Sequence, residues 1–255
     1  MSGLSKPRQL LDDIGLSLVF FTRLRLPSGD FGGRSLAEAI WAAPFAGLAV
    51  AIIGALVYAI AVALGLAARP ASALALAATM LVTGCLHEDG LSDIADGFGG
   101  GRTREKKLEI MRDSRIGAYG AAALGISLLI RWSALSELTG AGHVFLALLA
   151  AHAASRGLFG AFMHLLPSAR VDGLSANAGT VAFETAAIGA ALGAVSLLAL
   201  GLGGAIAALI LLGLLFAAFR SLCLSQIGGQ TGDTIGALQQ LCETAVLLTA
   251  SVCLS

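Results

Sequence analysis

Residues 41–66 read WAAPFAGLAVAIIGALVYAIAVALGL and contain no charged side chain. A helix needs about 20 predominantly apolar residues to cross the hydrocarbon core of a bilayer. Ala and Gly are spread among the larger aliphatic residues of this run, which lets neighbouring helices approach closely in lipid. The run therefore predicts a transmembrane helix, and similar runs recur along the chain.

The composition extends this prediction to the whole chain. Hydrophobic residues make up 57% of the 255 residues and charged residues 13%, with a mean hydropathy of +0.86, whereas soluble domains are about 25% charged. The apolar runs are continuous, unlike the short alternating segments of an outer-membrane barrel. We expect one integral membrane domain over 1–255, an all-α polytopic helical bundle in the lipid bilayer. Sixteen basic and sixteen acidic residues cancel, so we expect no nucleic-acid partner. The oligomeric state stays open, and a homo-oligomer is compatible with the sequence.

Seven segments are candidate spans when judged by this length criterion. They are 41–66, 72–87, 117–138, 143–163, 183–200, 204–220 and 237–254. The second, fifth and sixth are short or poorly bounded, so a count of six or seven is predicted. Residues 8–22 alternate apolar and polar side chains, which predicts an amphipathic helix at the membrane interface. A soluble N-terminal helix fits the pattern equally well.

The basic residues are unevenly distributed between the connections. With seven spans, 13 of the 16 Lys and Arg residues fall on one side, in the first 40 residues, in the 88–116 loop, at Arg170 and at Arg220. Because cytoplasmic loops carry an excess of basic residues, this side is predicted to be cytoplasmic. We expect a bacterial inner membrane protein whose polar connections 88–116, 164–182 and 221–236 face the cytoplasm.

The strongest chemical signal is the segment HEDGLSDIADG, residues 87–97. Asp89, Asp93 and Asp96 are spaced i, i+4 and i+7, which aligns three carboxylates on one face of a helix. Such like charges repel unless a cation lies against them. Hard oxygen ligands favour Mg²⁺ over zinc. The alternative is a solvated acidic helix start that interacts only with the helix dipole.

Two further polar segments carry phosphate-binding residue types. Arg115 follows Asp113 closely and precedes Gly117, and an arginine fork matches phosphate oxygens. The segment GGQTGD, residues 228–233, offers Gly228, Gly229 and Gly232 around Asp233 for a tight loop that wraps a phosphate or completes a metal site.

Ionisable residues inside predicted spans are costly and usually functional. Arg156 and Glu243 are such residues, and they either pair with each other or both face the site. Arg131 lies deeper in its predicted span and has no evident partner in the sequence.

Four segments together resemble the cobalamin synthase family, also called adenosylcobinamide-GDP ribazoletransferase. They are Phe21-Thr22-Arg23 with Pro27, residues 87–97, residues 110–120 (IMRDSRIGAYG), and residues 228–237 with Glu243. Ser92 stands where the family usually has Ala, and 24–26 lengthen the spacing between Arg23 and Pro27. Neither difference removes a predicted ligand.

The resemblance implies the last assembly step of cobalamin biosynthesis. The substrates would be adenosylcobinamide-GDP and α-ribazole or its 5′-phosphate, and GMP would be released. The implied Mg²⁺ ligands are Glu88, Asp89, Asp93 and Asp96, and the implied catalytic carboxylates are Asp93, Asp96, Asp113 and Asp233. Together with the residue-based argument above, our hypothesis for the substrate-binding residues is Arg23, Arg115, Arg156, Gly228, Gly229 and Gly232.

Two other functions compete with this interpretation. A CDP-alcohol phosphotransferase also places aspartates at helical spacing, but its motif has an Ala-Arg pair where Ser92-Asp93 stands here. An ion-coupled transporter would place its polar groups near mid-membrane within paired repeats, whereas most acidic groups here fall at one face.

Overall fold

The computed structural model describes residues 7–25, 31–170 and 179–255, and these residues fold almost entirely as helices. The first helices are α1 (Pro7–Phe21), α2 (Leu36–Ala39), α3 (Ala43–Ala63), α4 (Ala68–Thr83), α5 (Leu86–Gly100) and α6 (Arg104–Ile110). The later ones are α7 (Ala118–Ser136), α8 (Gly140–Gly157), α9 (Phe159–Leu165), α10 (Phe183–Ser196), α11 (Gly201–Ile227) and α12 (Gly232–Cys253). The described ranges contain no strand, only an isolated bridge between Ser168 and Gln230. The predicted all-α class is confirmed.

The N-terminal helix α1 forms as predicted and packs against the start of α3. Its buried Asp13 accepts hydrogen bonds from Arg34 Nε at 2.7 Å and Trp41 Nε1 at 2.8 Å. These two hydrogen bonds offset the free-energy cost of burying the Asp13 carboxylate. Lys6 and Pro27 lie outside the described residues, and the interfacial position of α1 stays a prediction.

Within the described ranges, five helices are long and apolar enough to cross a membrane, and a sixth span arises if α4 and α5 are counted together. Leu36–Ala63, Ala118–Ser136, Gly140–Leu165 and Gly232–Cys253 correspond to predicted spans. The fifth, Phe183–Ile227, has 45 residues, so a straight helix would be about 67 Å long, twice the thickness of the hydrocarbon core.

This long segment is divided at Leu197–Gly201, where Gly201 has φ 75° and ψ 166°. Before the break, Gly193 lies against Ala154, and after it Gly204 lies against Cys253. Helix α10 therefore runs antiparallel to α8, and α11 runs antiparallel to α12. The two halves run in opposite directions, as the two predicted spans 183–200 and 204–220 require.

Helices α4 and α5 meet at an angle of 89°. The bend lies at Gly84 and Cys85, whose φ angles of 65° and 57° place both in the left-handed region. Since a non-glycine residue rarely adopts this conformation, Cys85 marks a fixed feature of the fold. The predicted polar connection 88–116 is largely helical, because α5 and α6 occupy most of it.

Helix α5 crosses the N-terminal ends of α7 and α12. Its Gly90 faces Asp233 and Gly236 of α12, and further along Ser92 and Asp96 face Gly120 of α7. A Cβ at Gly120 would lie 2.4 Å from Ser92 Oγ. Small residues at these crossings therefore let three helices converge where α5 carries its carboxylates.

Candidate active site

Asp89 and Asp93 are the free carboxylates of α5. Asp89 is exposed and Asp93 half-buried, and neither makes a hydrogen bond or ion pair with a described residue. Asp89, Asp96 and Asp233 are close enough to Asp93 to repel its negative charge. The predicted carboxylate row on one helix face is thus present, and Arg170, which pairs with Asp233, offsets part of its negative charge.

Asp96 belongs to the same row but is engaged by α7. It accepts backbone hydrogen bonds from Gly117 at 2.7 Å and from Gly120 at 2.9 Å. These are N–H groups at the start of α7, which have no partner within their own helix. Asp96 therefore caps α7 from a different helix and ties it to α5.

Glu88 is buried and points into the bundle. Its Oε1 accepts hydrogen bonds from Arg131 Nη1 at 3.2 Å and from Gln240 Nε2 at 3.1 Å. The same Arg131 nitrogen donates to Glu243 Oε1 at 2.9 Å, and the other Glu243 oxygen lies 3.1 Å from His152 Nδ1. One cation thus bridges two buried carboxylates from α5 and α12.

Arg156 is 1% exposed. Its Nη1 lies 3.1 Å from both the carbonyl oxygen and Nδ1 of His152. Glu243 therefore pairs directly with Arg131 and His152. Arg156 contacts this buried cluster of Glu88, Arg131, His152 and Glu243 through His152. Substrate binding by Arg156 stays a prediction, and the structure places this side chain in the interior of the bundle.

A cavity of about 450 Å³ joins the acidic helix to the 111–116 loop. Glu88, Asp89 and Asp93 line one side, and Asp113 and Arg115 line the other. Four predicted carboxylates and one predicted phosphate-binding arginine therefore share one cavity. Its walls carry both signs of charge, as a site for a metal-bound phosphate requires.

Arg115 is held by Asp113 at the edge of this cavity. Arg115 Nε and Nη2 donate to the Asp113 carboxylate, with the shortest contact at 2.5 Å. This ion pair lowers the pKa of Asp113 to about 2. Arg115 Nη1 makes no bond with a described residue, and the side chain is 87% exposed, so this amino group is available to an anion.

The predicted glycine loop is shorter than its sequence suggests. Gly228 ends α11 with φ 74°, and a Cβ on Gly229 would lie 2.2 Å from the carbonyl oxygen of Pro167. Gly232 already begins α12, and a Cβ there meets nothing within 4 Å. Two of the three glycines therefore serve chain reversal and close backbone contact, and the 237 start predicted for the last span is five residues late.

Asp233 lies in the first turn of α12 and faces α5. Its Oδ2 accepts from Arg170 Nη1 at 3.3 Å and from Thr231 Oγ1 at 3.2 Å. Arg23, the other predicted phosphate clamp, is exposed and its guanidinium lies over Gly84 at the α4–α5 bend. Its backbone N–H donates to Val82 at 2.6 Å, which fixes the chain beside the acidic helix.

Sequence reasoning missed two charged contacts. Arg131 holds Glu88 and Glu243 together, and the signal for it was its position inside an apolar span. Arg170 pairs with Asp233 across 63 residues, and no local pattern indicates that pairing.

The described residues do not form a complete metal cage. Among them, no group of three or more His, Cys, Asp or Glu side chains is arranged to hold a metal ion. Glu88 and Asp96 would have to give up their contacts to become ligands. Asp89 and Asp93 are free, and Mg²⁺ sites usually combine one or two carboxylates with water and substrate phosphates. These residues therefore fit a Mg²⁺ ion that is held jointly with a phosphate-bearing substrate.

The sequence profile described as cobalamin-5-phosphate synthase matches residues 13–251. The chain belongs to this family. A protein of Mesorhizobium japonicum named adenosylcobinamide-GDP ribazoletransferase is 72% identical over 98% of this chain and 96% of its own length. Proteins of the same name from Bradyrhizobium diazoefficiens and Azorhizobium caulinodans are 51% and 45% identical, over 96% and 94% of this chain and 95% of their own lengths. No solved structure matches the chain. The match to the cobalamin-5-phosphate synthase family spans the bend, the acidic helix and the start of α12.

Proposed function

We propose that this protein transfers the adenosylcobinamide phosphate group of adenosylcobinamide-GDP to α-ribazole or its 5′-phosphate, with release of GMP. This is the final assembly step of cobalamin, and the family membership and the names of the relatives support it. The structural observation that supports it best is the cavity in which Asp89 and Asp93 face Arg115. Neither a CDP-alcohol phosphotransferase nor a transporter is favoured by these comparisons.

The reaction forms one P–O bond and breaks another. A ribose hydroxyl of the acceptor attacks the phosphorus attached to the cobinamide, the P–O bond to the GMP leaving group breaks, and the hydroxyl proton passes to a carboxylate. Positioning and electrostatics supply most of the rate enhancement in such transfers.

We infer that Asp89 and Asp93 hold Mg²⁺ against the diphosphate. When bound, the ion would neutralise charge that develops on the phosphate oxygens. Arg115, oriented by Asp113, offers its free Nη1 to the same group, and Arg23 contributes a second positive charge near the bend. Asp233 is our candidate for the carboxylate that accepts the hydroxyl proton.

The membrane orientation belongs to the same proposal. We place the protein in the bacterial inner membrane with the acidic cavity on the cytoplasmic side. The excess of basic residues in the N-terminal segment and in 88–116 supports this orientation.

The first test is an assay of the purified protein in detergent with adenosylcobinamide-GDP and α-ribazole, with and without Mg²⁺. We expect metal-dependent release of GMP together with the corrinoid product. Failure to form product with a folded protein and any divalent metal would refute the transferase proposal, and equal turnover in a chelator would refute the role of Mg²⁺.

A matched pair of variants tests the carboxylates. Asp93→Asn should lower kcat/KM at least about a hundredfold, the scale of one lost transition-state electrostatic contact. Glu105→Gln removes the same charge from the exposed face of α6 and should leave the rate unchanged. Equal rates for the two variants would exclude Asp93 from the site.

A further inference from the structure

A second cavity, of about 240 Å³, also reaches Asp89. Its walls come from α1, the 36–40 segment, α5, α9 and α12, and they are mostly apolar. The lining includes Phe20, Phe21, Ile40, Leu86, Met163 and Ile235. Asp89 and Asp233 are its carboxylates, and Asp89 alone is shared with the cavity that contains Arg115. The two cavities therefore meet at one carboxylate.

Aromatic rings form a stacked group at this second cavity. The His87 ring lies 6.2 Å from Phe21 and 5.8 Å from Phe159, with interplanar angles of 18° and 26°. Aromatic rings gain from such contacts with a further flat ring. Phe21 and His87 both line the cavity, so a planar ligand there would have an aromatic wall.

His87 also presents an unused polar atom. The side chain is 2% exposed, and its Nε2 is buried without a hydrogen-bond partner among the described residues. A buried polar group without a partner costs free energy that a ligand can recover by pairing with it. Nε2 lies beneath the cavity wall, so pairing with a ring nitrogen of an aromatic base requires the His87 ring to turn toward the cavity.

We propose that this cavity binds the aromatic base of the acceptor nucleoside, while the cavity containing Arg115 binds the diphosphate of the donor. This inference rests on the proposed function. A volume of about 240 Å³ is below the range of sites for drug-sized ligands, so it suits one fused ring system and excludes a corrinoid. An apolar wall favours a base with few polar edges, because unpaired polar groups are costly to bury.

The placement of the base also orders the reacting groups. With the base against His87 and Phe21, the ribose lies toward the polar end of the cavity, where Asp89 and Asp233 stand. Asp233 lines this cavity and not the cavity containing Arg115, which suits a carboxylate that acts on the acceptor hydroxyl. Asp89, at the junction, is adjacent to both substrates.

Filling the cavity is the most direct test. Ile235→Phe adds volume to a half-buried wall residue of α12, and Leu248→Phe makes the same change at a position of α12 that is 44% exposed. We expect Ile235→Phe to raise KM for α-ribazole at least about tenfold, the effect of overpacking a site. KM for adenosylcobinamide-GDP should stay unchanged, and Leu248→Phe should match the wild type. A rise in the donor KM instead would assign the cavity to guanine and overturn the proposal.

His87→Phe tests the polar contact separately. The ring is kept and Nε2 is lost, so KM for α-ribazole should rise about three- to tenfold, as expected for one hydrogen bond. The KM for the donor and the thermal unfolding midpoint should stay unchanged. An unaltered KM for α-ribazole would remove His87 from the proposed contact, and an unaltered KM in both His87→Phe and Ile235→Phe would overturn the proposal.

Direct binding separates this proposal from the proposed function. Equilibrium dialysis of α-ribazole against the wild type and Ile235→Phe, without donor, measures the cavity alone. Weaker binding to Ile235→Phe supports the cavity even if no GMP is ever released. An active wild type whose binding of α-ribazole is unaffected by Ile235→Phe would overturn the cavity proposal and leave the transferase assignment standing.

Discussion

Replacement of Arg131 by Met should strongly destabilise the bundle. Arg131 Nη1 donates to both Glu88 and Glu243, and all three side chains are at most 7% exposed. Without the arginine, Glu243 keeps its contact with His152, but Glu88 keeps only the amide of Gln240. Breaking a buried ion pair from one side costs about 3–5 kcal/mol because a charge is left unpaired. For a chain of this size that corresponds to a fall in Tm of about 6–20 °C.

Thermal unfolding in detergent measures this effect. Arg102→Met removes an exposed arginine and serves as the control, with an expected change in Tm of less than about 2 °C. Adding Glu88→Gln to Arg131→Met removes the carboxylate that is left without a cation, while Glu243 keeps its contact with His152. This double variant should be more stable than Arg131→Met alone. If Arg131→Met unfolds at the wild-type temperature, the cluster does not stabilise the fold.

Three other changes test separate parts of the site. Asp96→Ala removes the cap of α7 and should cost about 1–2 kcal/mol in the free energy of unfolding, measured by the same thermal assay, and an unchanged midpoint would contradict the capping role. Gly229→Ala should lower Tm because its Cβ has no room, whereas Gly232→Ala, in open space, should leave Tm unchanged; equal values would contradict the close backbone contact. The pKa of Asp113 is lowered from its ordinary value of 3.8 to about 2 by Arg115. The ion pair between Asp113 and Arg115 is therefore fully formed above about pH 4 and is lost as the pH falls toward 2. The wild type and Asp113→Asn should therefore show parallel rate profiles between about pH 5 and pH 8, and a step confined to the wild type in that range would contradict the assignment.

The spans and the acidic row could be predicted from the sequence because each depends on local composition. Residues 41–66 need only their own hydropathy to predict a helix, and i, i+4, i+7 spacing places Asp89, Asp93 and Asp96 on one face. The spacing does not predict which residues each carboxylate contacts. Asp96 caps another helix and Asp89 stays free, although both belong to one pattern.

The remaining features depend on contacts between distant segments. Glu88 precedes Asp89 by one residue, and this turns its side chain by about 100° from the carboxylate row into the bundle. There it contacts Arg131 and Gln240. No sequence pattern near Glu88 predicts that Arg131 and Gln240 are its partners. The glycines of 228–236 indicated a loop, but Thr231 caps α12 through the backbone of Thr234, so the helix begins within the glycine segment.

The right-angle bend at Gly84 and Cys85 fixes the rotational phase of α5. Because each residue turns a helix by about 100°, a single insertion between Cys85 and Asp89 would turn Asp93 away from Asp233 while every carboxylate remained in the sequence. Substitution of apolar residues in this segment only alters packing, whereas a change in its length alters which groups face one another. The number of residues after the bend is therefore as much a part of the site as the carboxylates themselves.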